Sequence, residues 1–233
     1  MTQTTSLSFF RYDRARDRAW AFGMMGAARF MLPRVPDIGF WKLCGSGTGE
    51  GFTPVLFPRV FAILVTWPTE QIARDRTATN ALFKRYARRA TESLSVFLHT
   101  TSARGAWSGE QPFSPATEPL AGPLAALTRA TVKPRVATQF WGQVPTISDV
   151  IGSDPNVMFK IGIGEVPLLQ QVTFSIWPGA TEMAAFARTS GPHAEAIRAV
   201  RDNDWFREEL YARFAVIGHS GTWNGRNPME PRT

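Results

Sequence analysis

Apolar and polar positions along the chain trace one pattern twice: strand, helix, strand, strand, helix, strand. In the first pass, residues 6–12 are β-prone. Residues 18–32 have helical spacing and stop at Pro33, and 40–45 form a short strand before the turn-rich 46–53. Residues 60–67 are an apolar run of strand length closed by Pro68. Thr69-Glu70-Gln71-Ile72 then opens a helix predicted to reach about Ala90, and 93–100 is the fourth strand. Residues 102–123, rich in Gly, Ser and Pro, read as a connection. In the second pass, 124–132 is a strand ended by Pro134, 135–144 is helical in pattern, and 157–163 and 169–177 are strands. A helical region over 179–210, broken at Gly191-Pro192, leads to a last strand over 211–218. Each pass is a ferredoxin-like βαββαβ unit.

The two passes share words as well as order. Gly47-Thr48-Gly49-Glu50 matches Gly162-Ile163-Gly164-Glu165, Trp67-Pro68 matches Trp177-Pro178, and Trp107-Ser108-Gly109 matches Trp223-Asn224-Gly225, at offsets of 115, 110 and 116 residues. Three matches in register argue for an internal duplication. A four-stranded sheet covered by helices on one face leaves its other face bare, and two such sheets bury both bare faces by packing together. The expected fold is therefore α+β: two tandem ferredoxin-like halves, 1–110 and 124–233, joined by a linker over 111–123 and forming an intrachain α/β barrel. The Gly-x-Gly-Glu words are not nucleotide fingerprints, since neither carries a third Gly or opens a helix.

Composition narrows the class. The 233 residues are 44% hydrophobic and 12% aromatic, enough for a sizeable core. The single cysteine, Cys44, excludes an intramolecular disulfide and any multi-cysteine zinc or iron–sulfur site. No signal peptide is legible at the N-terminus, and the longest apolar run, 60–67, is far shorter than the ~20 residues that span a bilayer. A cytoplasmic protein, peripheral at the inner membrane, is expected. The net charge of +7 comes almost wholly from Arg and is spread along the chain. It suits anionic lipid or an acidic protein donor. The RNA-binding signature of ferredoxin-like sheets is absent, and nucleic acid is not expected as a partner.

Two groups of residues carry candidate chemistry. After Gly191-Pro192, a helix start, His193, Ile197 and Val200 share one face and Arg198 and Arg201 flank it. An imidazole on an apolar helical face beside guanidiniums suits an axial haem ligand with cationic partners for the propionates. The alternative, commoner for such spacing, is a His near a helix start that meets solvent or a backbone carbonyl. The second group comes from strand alternation, which can place Arg129, Gln171, Thr173 and Arg213 on one sheet face. The alternative there is a solvated or inter-sheet polar layer. A buried Arg needs a partner, which a propionate, an oxygen ligand or Glu165 can supply.

The chain resembles the spheroidene monooxygenase family, the acyclic carotenoid 2-ketolases of phototrophic bacteria. The resemblance is carried by Phe40-Trp41-Lys42, Gly45-Ser46-Gly47-Thr48-Gly49-Glu50-Gly51-Phe52-Thr53-Pro54 and Thr101-Ser102-Ala103-Arg104-Gly105. It continues through Ala126-Leu127-Thr128-Arg129-Ala130-Thr131, Ile151-Gly152-Ser153-Asp154-Pro155-Asn156 and Gln171-Val172-Thr173-Phe174-Ser175-Ile176-Trp177-Pro178. It ends with Trp205-Phe206-Arg207-Glu208-Glu209-Leu210-Tyr211-Ala212-Arg213-Phe214 and Ile217-Gly218-His219-Ser220-Gly221. It implies a haem-dependent monooxygenase that uses O2 and a reduced ferredoxin-type donor. The implied reaction introduces oxo groups at C-2, and in suitable substrates C-2′, of acyclic carotenoids such as spheroidene and spirilloxanthin. The resemblance puts His193 first as iron ligand; helix spacing and strand alternation then make Arg198, Arg201 and Arg213 the expected cofactor-binding residues and put Arg129, Gln171 and Thr173 on the distal side. His219 and His99 are the other histidines. A helical His facing a sheet across a slab-shaped gap also looks like the haem-binding barrels of chlorite dismutases and aldoxime dehydratases. Cys44 is the chemical rival, as a thiolate, although a small buried core thiol is the default there. A haem carrier without oxygenase activity and an iron-free barrel binding a small apolar ligand remain as alternatives. The apolar, Pro-rich residues 51–58 are a candidate for contact with the bilayer.

Overall fold

A computed structural model of the chain describes residues 1–46, 59–117, 122–142, 156–166, 168–188 and 205–230. The first half runs β1 (Thr4–Arg11), α1 (Ala15–Met31), β2 (Trp41–Gly45), β3 (Val60–Trp67), α2 (Glu70–Thr79), α3 (Ala81–Ala87) and β4 (Glu92–Gly105). The second runs β5 (Leu124–Val132), helical residues 137–142, β6 (Phe159–Ile163), β7 (Gln170–Trp177), α4 (Ala180–Arg188) and β8 (Phe206–Gly221). All strand pairs are antiparallel, in one eight-stranded sheet of order β2-β3-β1-β4-β8-β5-β7-β6. The two edge strands meet at Gly45 and Gly164, where Gly45 N donates to Gly164 O at 2.9 Å and Gly164 N to Gly45 O at 2.8 Å. This single bridge brings the sheet to a nearly closed barrel, as expected.

Register makes the duplication quantitative. Phe9 lies between Ala62 and Leu94, and Arg129 lies between Val172 and Leu210. Leu94 and Leu210 each stand two residues after a glutamate, Glu92 and Glu208, that does the same work in both halves. The repeat matches Gly45 with Gly164, and the two meet each other across the closure. That corrects one of the shared words, which aligns Gly164 with Gly49 and Gly162 with Gly47, whereas the register sets Gly162 opposite Thr173 where the first half sets Leu43 opposite Ile63; Gly47-Thr48-Gly49-Glu50 themselves lie outside the described residues. At the ends of the two long central strands, Gly105 (φ 92°) and Gly221 (φ 88°) hold left-handed backbone. A Cβ there would come within 2.1 Å of Glu209 O or Ser93 O, so only glycine fits. Trp107-Ser108-Gly109-Glu110 and Trp223-Asn224-Gly225-Arg226 are two-residue hairpins, with positive φ at both central residues, the pattern of a type I′ turn.

The barrel interior is apolar, built from inward residues such as Leu7, Phe9, Val96, Leu127, Phe174 and Phe214. A second core lies outside the first-half sheet, where Phe10, Leu43, Phe61, Ile63, Val65 and Phe97 pack under α1, α2 and α3.

Three local expectations need correction. The helix predicted to run from Thr69 to Ala90 is two helices. The Thr69 side chain accepts from Ile72 N at 3.3 Å, as a cap should, but Asn80 ends α2 and caps α3 by accepting from Leu82 N at 2.9 Å. Residues 206–210, predicted as the end of a helix, are strand, because pairing to Thr131 and Val132 of β5 outweighs their helical propensity. The fourth strand extends to Gly105, beyond its predicted end at 100, because β8 pairs along its whole length.

Candidate functional site

Two polar constellations emerge, on opposite faces of the second-half sheet. The first is inside the barrel. Arg129 is 1% exposed and belongs to the inward face of β5, across from Val172. Its guanidinium pairs with Glu208 through Nη1 and lies 3.9 Å from Glu165 through Nη2. Glu208 also accepts from Ser108 N at 3.0 Å and Gly109 N at 2.7 Å, so it fastens the hairpin to the barrel end. Burial pushes the Glu208 carboxyl up, but those backbone bonds and the Arg129 charge outweigh it and hold the group below the usual glutamate range. Glu165 accepts from Trp107 Nε1 at 2.6 Å and lies 3.4 Å from Lys42 Nζ, which donates to Ser108 Oγ at 2.6 Å.

The first half has a counterpart. Glu92 takes Asn224 N at 2.9 Å, Gly225 N at 2.8 Å and Arg11 at 2.8 Å, and it too is held below the usual range: burial raises it, and these bonds outweigh burial. Arg11, however, sits at the rim with its side chain 25% exposed, whereas Arg129 occupies the interior position that Phe9 fills in the first half. Cys44 lies inside the barrel, and burial, joined by the charge of Glu165 and only partly opposed by Lys42 and Arg129, pushes its thiol far up. It is a buried core thiol packed among the inward residues of the barrel.

The second constellation is on the outside. Three rows cross the outer face of β6, β7, β5 and β8: Gly164, Gln171, Ala130 and Glu209; Gly162, Thr173, Thr128 and Tyr211; Lys160, Ser175, Ala126 and Arg213. In the first half the matching rows are Gly45, Phe61, Phe10 and Ser93; Leu43, Ile63, Ser8 and Ser95; Trp41, Val65, Ser6 and Phe97. Seven apolar positions under the first helical layer thus become Gln171, Ala130, Gly162, Thr173, Lys160, Ser175 and Arg213. Each buried Phe, Leu or Ile stabilises by about 1.5–3 kcal/mol. The exchange removes much of the apolar packing on this face and leaves Gly162 and Ala130 beside the polar side chains of Gln171, Thr173, Ser175, Lys160 and Arg213.

The predicted site residues divide accordingly. Gln171, Thr173 and Arg213 share the outer face. Arg129 does not; directly paired antiparallel residues share a face, and its partner is the inward Val172, so the expectation that it joins them is corrected. His193, Arg198 and Arg201 lie outside the described residues, as does 51–58. His99 is in the outer layer of the first half, hydrogen-bonded to Thr4 Oγ1 at 3.1 Å, with its pKa lowered by burial against a smaller opposing effect of Glu70. His219 is opposite the inward Val96, on the other side of the sheet from Gln171. Among the described residues no cluster of three metal-ligating side chains occurs. No described helix is long and apolar enough to cross a membrane.

No protein-family model matches the chain. Curated relatives do. Over 227 residues it is 51% identical to the spheroidene monooxygenase of Rhodobacter capsulatus, covering 96% of this chain and 94% of that one. Over 230 residues it is 49% identical to the spheroidene monooxygenase of Cereibacter sphaeroides, covering 97% and 71%. The chain belongs to the spheroidene monooxygenase family. A third member, from Rubrivivax gelatinosus, is 34% identical over 209 residues. The spheroidene monooxygenase family is one of oxygenases, so this chain is an enzyme of that class. Its barrel is also similar to a crystal structure of aldoxime dehydratase, with a TM-score of 0.61 at 9% identity over 92% of this chain and 81% of that one. That likeness concerns the fold.

Proposed function

We propose that the chain is a haem-dependent monooxygenase that uses O2 and reduced ferredoxin to introduce oxo groups at C-2, and C-2′ where the substrate allows, of acyclic carotenoids such as spheroidene and spirilloxanthin. The observation that carries the cofactor reading is the exchange of large apolar side chains for small or polar ones on the second-half outer face. Ala130 and Gly162 keep the middle of that face low for a flat macrocycle, while Ala126 at its end packs against the cluster of Val157, Trp177 and Met183. Gln171, Thr173 and Thr128 offer hydrogen-bonding groups toward it, and Arg213 offers a cation for a carboxylate. This donor set fits haem.

His193 would hold the iron from the helical side, and Arg198 and Arg201 would join Arg213 in pairing the propionates. Bound haem supplies the activation of dioxygen. The chain's own residues bind and orient. Gln171 and Thr173 would donate hydrogen bonds from the sheet side to an oxygen ligand of the bound group. Arg129 acts as a positioning residue: by tying Glu208 and Glu165 to Trp107 and the Ser108–Gly109 turn, it fixes β5, whose outer face carries Thr128. Conversion of a methylene to a ketone takes two monooxygenations, each consuming O2, two electrons and two protons and releasing water. The resulting gem-diol then loses water. The substrate is a hydrocarbon that partitions into membrane, so the enzyme works peripherally at the inner membrane.

The test is an absorption spectrum of the purified chain reconstituted with haem, followed by turnover of spheroidene with O2 and reduced ferredoxin. A Soret band and a ketone product are expected, and His193→Ala removes both while leaving the far-ultraviolet dichroism unchanged. A Soret band without product would make the chain a haem carrier, and no band after reconstitution would make it an iron-free barrel. Either result overturns the proposal.

A further inference from the structure

Helix α1 has an apolar face where solvent should be. Its inner face is ordinary: Ala21, Met24 and Ala28 are buried in the outer core of the first half. Its solvent face carries Ala19, Phe22, Gly23, Gly26 and Phe30, at spacings of three and four residues. Phe22 is 68% exposed and Phe30 is 73% exposed. Amphipathic surface helices place polar residues on this side. The two glycines weaken the helix, yet an added Cβ at either would meet nothing within 4 Å. Packing inside the chain therefore does not require them, and they leave both rings standing proud of the backbone.

Charge indicates what covers this face. On the helical wheel, Arg18 and Arg29 flank it on one side and Arg16 on the other, with Arg14 and Arg34 just beyond the helix ends. The one acid of α1, Asp17, is buried and turned inward, 3.3 Å from Arg89 Nη1 and 3.7 Å from Arg16 Nε, whose side chain is still 75% exposed. A second copy of the chain meeting this face around a two-fold axis would set arginines against arginines with no acid of the helix to answer them. A surface bearing anionic headgroups over an apolar interior matches both the charge and the rings.

We propose that the outer face of α1 docks the enzyme on an anionic lipid bilayer, with Phe22 and Phe30 inserted below the headgroups and Arg16, Arg18 and Arg29 on the phosphates. This deepens the membrane reading given above and rests on its carotenoid substrate. The experiment is flotation of the full haem-loaded chain with vesicles of phosphatidylcholine alone or with phosphatidylglycerol added. Turnover of detergent-dispersed carotenoid and light-scattering mass are measured in parallel. Binding is expected to the phosphatidylglycerol vesicles alone and to fall with salt. Phe22→Ser with Phe30→Ser should lower partitioning about tenfold or more. Arg18→Glu with Arg29→Glu should do the same, with the Soret band and detergent turnover unchanged in both.

Unchanged flotation of either double variant would overturn the docking face, and so would a wild-type dimer that Phe22→Ser with Phe30→Ser makes monomeric. Loss of detergent turnover in the wild type would instead strike the functional reading. Vesicle binding by α1 is read separately from it.

Discussion

The two halves share one register and differ in what they do with the outside of their sheets. In the first, Phe10, Leu43, Phe61, Ile63, Val65 and Phe97 seal the sheet under three helices. In the second, the matching positions hold Ala130, Gly162, Gln171, Thr173, Ser175 and Arg213. Inside the barrel the difference runs the same way, a phenylalanine at Phe9 in the first half against a guanidinium at Arg129 in the second. A duplicated scaffold needs only one half to supply apolar mass on its outer face. The other is free to carry polar chemistry, provided its frame is held from within, which is the work of Arg129, Glu208 and Glu165.

The strongest way to break this comparison is to write the second half into the first. Phe61→Gln with Ile63→Thr replaces fully buried side chains with the residues found at Gln171 and Thr173. The cost should be about 5 kcal/mol or more, because apolar burial is lost and new polar groups are stranded. Chemical denaturation should show a chain unfolded or nearly so without denaturant, and a shift under 1 kcal/mol would mean that the two faces are not distinct.

Next in size are the arginines that partner the two matched glutamates. Arg129→Leu leaves Glu208 and Glu165 without a buried partner and should destabilise by about 3 kcal/mol. Arg11→Leu, at the rim, should cost about 0.5 kcal/mol. Equal effects would deny Arg129 its special place.

Smallest is the pH response of the two glutamates. Both have folded pKa values below the ordinary 4.5, so each contributes stability above that value and loses it as pH falls through the folded pKa. Glu92→Gln and Glu208→Gln should therefore show a stability deficit at neutral pH that shrinks on acidification below about 4.5. A deficit that stays constant into acid would mean that neither charge matters.

Much of this was legible in the residues. Repeated Trp-Pro and Trp-x-Gly words exposed the duplication, the helix and strand periods gave the barrel, and alternation put Gln171 and Thr173 on one side of β7. The phase between strands was not legible. Arg129 alternates correctly along β5, but which face it shares with β7 depends on a hydrogen-bonded register that no local pattern encodes. The segment 206–210 misled for the same reason: Glu, Arg and Leu favour helix locally, and only pairing with β5 makes them strand. Glu165 was visible as a possible partner for a buried arginine. The larger part of that pairing, Glu208, was hidden inside the mistaken helix.

The central claim is that the polar outer face of the second-half sheet is the cofactor and reaction face. Its most direct test is haem titration of Gln171→Phe with Thr173→Ile, which gives that face the side chains of Phe61 and Ile63. The account predicts a folded chain, with unchanged circular dichroism, that no longer develops a Soret band as haem is added. A full-intensity Soret band at unchanged stoichiometry would contradict it.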